Sequence, residues 1–385
     1  MKNLLLRLLP AALGAVLCAT AVSAAEPIKV VALYNATGGM SSLDQPSLNG
    51  AQLKAEQINA KGGLLGGRTI DLVAIDTKTD QKEAAIGAKR GVSMDGIVAA
   101  IGYSDTTFVL AAAPLFQAKG IPFVTSGATA PGLPEMVGDA TFLVPFGDNV
   151  QAYAMAEYAY NKLNIHNVAV WTDNGMDYTT GLSKFFQERF QKQNGKIVLN
   201  DVYLTGDKDF SAQVARLKAQ GDATDAVFVA AGPDEAGPII KQIREAGITM
   251  PIMGGDGLDT PLVGEVPGPK LANDVYFTTH AYSQVAAGGA EAFQADYKTK
   301  YGTPPENAFA ALGYDAVGLL ADAIERAGST DHAAIKTALA ATKGYQAVTG
   351  TISYAGGSRV PLKTVAIMEV NEAKFALKDN VVPSE

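Results

Sequence analysis

Gly96-Ile-Val-Ala-Ala-Ile-Gly-Tyr-Ser-Asp-Thr-Thr107 is the stretch that decides the fold of this chain. Its first half is an unbroken apolar run, the mark of a strand covered on both faces, and such strands belong to parallel sheets. Its second half is a polar turn of hydroxyls and one acid at the carboxyl end of that strand. A helical stretch follows over residues 108–118, closed by Gly120, and another strand over 121–124. Strand, helix and strand in this rhythm form a right-handed βαβ unit.

The alternation continues on both sides. Residues 28–34 and 69–75 read as strands. Residues 46–60 and 81–93 read as helices, the first ended by Lys61-Gly62-Gly63. After a break near residues 142–146 the rhythm restarts, with Asp148 expected to cap a helix running to residue 163. Strands are expected over 167–171, 196–203, 223–231 and 251–253, with helices over 178–193, 212–220 and 235–246 between them. The fold class is therefore α/β, with two doubly wound lobes built on parallel sheets. The last third supplies helices over 289–301, 308–327 and 330–341 and strands over 348–354 and 362–370. These are too few for a third domain and are expected to complete the first two lobes. The division expected is 25–145 with 279–352 for the N-terminal lobe, and 146–278 with 353–385 for the C-terminal lobe. A chain that crosses between lobes several times makes a hinge.

The first residues carry an address. Lys2 and Arg7 give a cationic start, residues 8–20 an apolar run too short to anchor in a bilayer, and Ala21-Val-Ser-Ala-Ala25 a cleavage site. Cleavage is placed after Ala24, with Ala25 as the other register, so a periplasmic location is expected. The mature chain would keep 361 residues with 29 basic and 39 acidic side chains, a net charge of −10. Such an acidic surface offers no footprint for nucleic acid. The only cysteine, Cys18, lies in the export segment behind Leu17, where a lipid-attachment site would need a small residue. Disulfides and cysteine metal sites are excluded from the mature protein.

Ligands of open parallel sheets bind beyond the carboxyl ends of the strands. The loops at those ends are rich in hydroxyl, amide and glycine residues: 35–43, 103–107 and 125–129 in the first run, 172–178, 232–235 and 254–259 in the second. Two facing sets imply a cleft. Hydroxyls and helix-start N–H groups in the first set suit a carboxylate, while Tyr178 and Asp256 in the second suit an ammonium. Each loop alone is also ordinary turn chemistry; the joint placement points to a receptor for a zwitterion.

Several stretches resemble the periplasmic leucine/isoleucine/valine-binding protein family, the type I solute-binding proteins of branched-chain amino acid ABC transporters. They are Asn49-Gly-Ala-Gln-Leu-Lys-Ala-Glu-Gln-Ile-Asn-Ala-Lys-Gly-Gly63 with Gly66-Gly-Arg68, Gly127-Ala-Thr129 after a strand, Gly206-Asp-Lys-Asp-Phe-Ser211, and Gly313-Tyr-Asp-Ala-Val317 with the stretch that follows it to Asp331. The resemblance implies the type I periplasmic binding protein fold and a ligand carboxylate held by Ser104, Thr106, Thr107, Ala128 and Thr129. It also implies an amino group gripped by Asp256 beside Tyr178. Leu43, where relatives present an aromatic residue, and Tyr103, which opens the loop of Ser104, complete the expected set. Asp256 is one methylene shorter than the family's glutamate, and Ala231-Gly-Pro-Asp-Glu235 replaces its tyrosine-rich loop. The ligand expected is therefore an amino acid or related small carboxylate, with aromatic acids and amides as alternatives.

The resemblance implies a monomer that hands its solute to ABC permease subunits, with no cofactor, metal or catalytic residue. A periplasmic sensor feeding a membrane receptor is the competing reading. An enzyme is disfavoured because the three histidines, His166, His280 and His332, show no zinc spacing, and no nucleophile elbow or phosphate loop appears. Gly62-Gly63 and Gly66-Gly67 follow a helix, the wrong context for a phosphate loop. His166 and His332 are expected at the surface, and His280 where the chain recrosses the hinge. Trp171, just before a second-lobe loop, is a candidate reporter of closure.

Overall fold

The computed structural model describes residues 26–280 and 289–382, so the export segment read over residues 1–24 lies outside the described residues. Apolar runs of three to seven residues make the inner strands, and the parallel ones hand over to helices that cover the sheet faces. Strands β1 (Ile28–Tyr34), β2 (Ile70–Asp76), β3 (Ile97–Gly102), β4 (Phe123–Thr125) and β5 (Thr141–Leu143) pair in parallel in the order β2-β1-β3-β4-β5. Helices α1 (Ser41–Ala60), α2 (Gln81–Val92), α3 (Thr106–Gln117) and α4 (Leu133–Val137) alternate with them.

The second sheet follows α5 (Asp148–Asn161). Its parallel strands are β6 (Asn167–Asp173), β7 (Lys196–Tyr203), β8 (Ala226–Ala230), β9 (Ile252–Gly254) and β10 (Val275–Thr279). Between them run α6 (Asp177–Lys192), α7 (Ser211–Gln220), α8 (Pro233–Glu245) and α9 (Leu262–Glu265). Helices α10 (Ala290–Tyr301), α11 (Ala308–Ala327) and α12 (His332–Ala340) and a hairpin, β11 (Tyr345–Ala347) with β12 (Gly350–Ile352), then return to the first lobe. Finally β13 (Val365–Asn371) and β14 (Lys374–Val381) extend the second sheet antiparallel, giving β14-β13-β10-β9-β8-β6-β7. In both lobes the parallel strands take the order second-first-third-fourth-fifth. The order reverses beside the first strand, which opens a crevice at the carboxyl ends.

The first lobe is completed from far along the chain. Phe309, Leu312, Val317 and Leu320 of α11 share one core with Val31, Leu33 and Ile101 of the first sheet. Helix α11 lies so close along α1 that a Cβ on Gly313 would run into the Ser47 carbonyl, and one on Gly50 into that of Ala310. Only glycine permits this approach. Where the chain crosses between lobes, the buried Lys363 ammonium donates to Thr349 Oγ1 at 2.6 Å and to the Val144 carbonyl at 3.1 Å. Thr349 in turn donates to Asp315 of α11. Burial lowers the Lys363 pKa to about 8, against the attraction of Asp315.

Several local readings are corrected. Helix α1 starts at Ser41, before Pro46, so Leu43 sits in its first turn rather than in a loop. Proline lacks the N–H that would bond the Ser42 carbonyl. Asn307 Nδ2 donates to that carbonyl at 2.8 Å instead, which lets the helix run through. Asp148 does not cap α5. Gly147 holds the cap position, and Asp148 Oδ1 accepts from Gln151 Nε2 at 3.0 Å. The strand read over 348–354 is a turn and one arm of the hairpin. His332 is half-buried, its Nε2 bonded to the Ile97 carbonyl at 2.8 Å. The helix α4, strand β5, helix α9 and strands β10 and β14 have no counterpart in the sequence reading. No helix among the described residues is long and apolar enough to cross a membrane.

Candidate functional site

The first lobe builds its wall of the crevice around a buried acid. Asp44, in the first turn of α1, accepts from the Asn35 N–H at 2.7 Å and from the Ser104 N–H at 2.8 Å. One carboxylate thus ties the ends of β1 and β3 together at the point where strand order reverses. Burial pushes its pKa up to about 6, while those hydrogen bonds act to lower it. Tyr103 precedes with φ of 57°, a left-handed conformation uncommon outside glycine. Its ring turns into the core against Phe108, with centroids 5.9 Å apart.

Asp105 caps α3: its Oδ1 accepts from the Thr107 N–H at 2.7 Å. Its Oδ2 is buried and has no partner. Burial raises the carboxyl to about 7, with the charges of Asp44 and Asp177 adding to the effect. Ser104 Oγ and Thr129 Oγ1 are likewise buried without partners. The other expected hydroxyls are engaged: Thr106 Oγ1 accepts from the Ala130 N–H at 3.3 Å and Thr107 Oγ1 from the Asp177 N–H at 2.9 Å. The Ala128 N–H donates to Thr125 Oγ1 at 3.1 Å.

The opposite wall comes from the second lobe. Tyr178, at the start of α6, accepts from the Gly257 N–H at 2.9 Å through its hydroxyl. Burial raises that phenol well above its usual pKa, helped by the charges of Asp256 and Asp148. Asp256 is held on both oxygens: Gln151 Nε2 donates to Oδ1 at 2.8 Å, and His280 Nε2 lies 2.7 Å from Oδ2. The Gln151 carbonyl oxygen accepts from the Asp256 N–H and from Thr278 Oγ1, which fixes its orientation. His280, buried against the Phe146 ring at 3.9 Å, has its pKa lowered by burial despite the facing carboxylate. Asp148, also bonded to Gln151, keeps an unpartnered Oδ2, and its pKa is raised well above the usual range by burial and then by Asp256.

The walls meet. Besides the Thr107–Asp177 bond, Thr260 Oγ1 donates to Ser42 Oγ at 3.1 Å, and Asp259 Oδ2 accepts from the Ala308 N–H at 3.0 Å. Met176 of the second lobe packs into the core cluster of the first. The lobes are closed down on a cavity of only about 10 Å³ that Leu43, Ser104, Tyr178 and Asp256 line together with Asp105 and Phe309. It leads past Met40, Met176 and Pro233 into a wider mouth where Thr107 stands. Of the expected residues, Tyr103, Thr106, Ala128 and Thr129 are not among those lining the cavity. Trp171 is wholly buried in the second-lobe core. Asp44, Asp105, Gln151, Met176 and Phe309 were not singled out from the sequence. A signal existed only for Asp105, an Asp one residue before a helix start. Among the described residues, no group of three or more His, Cys, Asp or Glu is placed to hold a metal ion.

Comparison with known proteins agrees with this architecture. Residues 27–375 match the family described as periplasmic binding protein. An amino acid binding protein of Pseudomonas aeruginosa is 31% identical over 301 residues, 77% of this chain and 78% of that one. A leucine binding protein of Thermotoga maritima superposes with a TM-score of 0.86 at 33% identity, covering 92% of this chain and 99% of that one. A branched-chain amino acid transporter substrate-binding protein of Streptococcus pneumoniae, solved with isoleucine, gives 0.86 at 32% identity, covering 93% and 100%. These relatives bind solutes and are not enzymes. The chain belongs to the periplasmic leucine/isoleucine/valine-binding protein family and has its type I, two-lobed fold.

Proposed function

We propose that this chain is the exported solute-capture component of an ABC importer. It is released into the periplasm by cleavage after residue 24, takes an amino acid or related small solute between its lobes, and presents the closed form to the membrane permease. The observation that carries this reading is the pairing of unpartnered, buried Ser104 Oγ and Asp105 Oδ2 on one wall with Asp256 and Tyr178 on the other, around one cavity. Polar atoms buried without partners are few in folded proteins and call for an explanation. A solute that supplies the missing donors is such an explanation, and it adds contacts present only in the closed state, so binding shifts the population toward closure. The amino acid ligands named for the relatives point the same way.

A thermal-shift panel of amino acids, amines, benzoates and short amides tests the proposal, because a ligand that binds only the folded state raises the melting temperature by linkage. An amino-bearing solute is expected to give the largest shift, and Asp256→Ala to abolish it. A panel in which only acids lacking an amine shift the transition, undiminished in the variant, would refute the reading.

A further inference from the structure

The acid expected to grip the solute's amino group does not stand alone. Gln151 Nε2 donates to Asp256 Oδ1 at 2.8 Å and to Asp148 Oδ1 at 3.0 Å, so one amide bridges two buried carboxyls. Asp256 Oδ2 meets His280 Nε2 at 2.7 Å, with both side chains almost wholly buried. Asp148 opens α5, where the chain enters the second lobe, and His280 follows β10, where it leaves. The cluster therefore belongs to the second lobe and its hinge crossings. The space beside Asp256 in this closed form, about 10 Å³, holds one water at most. A solute's nitrogen reaches Asp256 with the lobes set further apart, and the cluster travels with the second lobe when they part. Among the described residues no lysine or arginine is bonded to Asp148, Gln151, Asp256 or His280. The ionisable groups that face the cluster from neighbouring elements are Asp105 at the cap of α3, Tyr178 of α6, Asp259 in the loop after β9 and Lys363 where the chain last crosses. An added proton has one favourable place in this cluster. Imidazolium carries N–H on both nitrogens, and His280 Nδ1 is buried with no acceptor in reach. Burial and the charge of Lys363 also oppose a proton there. Asp148 differs: burial, then the charge of Asp256, raises its pKa well above the ordinary carboxyl range, against the Thr129 hydroxyl and Gln151, which lower it.

We propose that capture of an amine-bearing solute is coupled to release of a proton from Asp148. This rests on the capture role and the amine grip at Asp256 proposed above, and it adds regulation of that same site by pH. A buried cluster of two carboxyls with no bonded cation is stabilised by one positive charge. In the free protein a proton on Asp148 supplies it; in the complex the solute's ammonium at Asp256 supplies it. Gln151 keeps the two carboxyls one amide apart, so the two positive charges disfavour each other. The solute therefore draws the proton off Asp148, and by reciprocity acid weakens the solute. Affinity is full above the raised titration of the free protein. It falls by up to about tenfold per pH unit between the free and the bound titrations, and levels off below the bound one.

The test is titration calorimetry of the full mature chain with leucine, phenylalanine and lysine, whose own groups do not titrate between about pH 5 and 8, and with benzoate as a probe lacking an amine. Heats measured at one pH in buffers of different ionisation enthalpy give the number of protons released. The tightest amino acid is expected to release about half a proton or more where its affinity is changing, and to bind up to about tenfold more weakly per pH unit on acidification. Asp148→Asn keeps the oxygen that takes Gln151 Nε2 and should abolish both effects. A merely structural role for Asp148 would move affinity and melting temperature but not the proton count. Should Asp148→Asn not fold, the infrared carbonyl band of a protonated carboxyl, present in the free wild-type protein and lost on adding the amino acid, reads the same proton. An amino acid that binds with no proton released and a flat pH profile would overturn the inference while leaving the capture role intact. Proton release that survives Asp148→Asn would place the proton elsewhere, Asp105 included, and would overturn it too. Binding of benzoate while no amino acid binds would overturn both.

Discussion

Removing the hydroxyl of Thr107 should weaken capture without touching either lobe's core. In the closed form Thr107 Oγ1 accepts the Asp177 N–H at 2.9 Å, one of the few direct hydrogen bonds joining first-lobe to second-lobe residues. In an open form both groups would meet water, so the loss in Thr107→Val falls on the closed state alone. A neutral hydrogen bond contributes roughly 0.5–1.5 kcal/mol net, and a stranded, partly buried N–H adds a penalty of similar size. A shift of about 1–2 kcal/mol against closure lowers the closed fraction about 5–30-fold, and apparent affinity falls by the same factor. Valine matches threonine in shape and branching, so α3 should keep its helix. Calorimetry with the tightest solute of the panel measures the affinity, and stopped-flow fluorescence should place the change in the dissociation rate. Affinity unchanged within about twofold, or lost only in step with the stability of the unliganded protein, would refute the argument that this bond belongs to closure.

Other perturbations read the scaffold. Gly313→Ala drives a Cβ into the Ser47 carbonyl between α11 and α1, and should destabilise the protein by about 1–3 kcal/mol, seen as a lower urea midpoint at unchanged slope. Lys363 titrates at about 8 when folded, below the usual range near 10.5. Between those values the unfolded chain holds the proton and the folded chain has released it, so stability attributable to this group rises with pH. The span is on the order of 3 kcal/mol, and Lys363→Met should flatten that rise in the difference between the two stability–pH curves from pH 8 to 10.

The long elements were legible because their signal is local. The apolar run at Ile97–Gly102 could be only a covered strand, and Ala308–Ala327 shows helical periodicity between a capping Asn307 and Gly328. Pro46 misled because a proline usually opens a helix. What allows it inside α1 is an asparagine 261 positions away, invisible to any window along the chain. Asp148 misled in the opposite way, since an acid before a helix reads as a cap, yet here Gln151 holds one oxygen of its carboxyl. Strand β14 alternates half-buried and exposed residues at a sheet edge, too weak a pattern to separate from a polar tail. In the site, Tyr178 and Asp256 could be placed from their loops. Asp105 at the helix start was a local signal left unread, whereas that Met176 and Phe309 would close the cavity depended on how two lobes meet, which no single segment encodes.

The intimacy of α1 and α11 has a consequence for biosynthesis. A chain growing from its amino end presents the glycine-lined flank of α1 some 250 residues before its counterpart exists. More than four-fifths of the chain, through residue 327 of 385, must therefore emerge before the first sheet can shed its last water. The lobe made earliest is finished late, and a ribosome stalled before α11 would release a product with that flank bare.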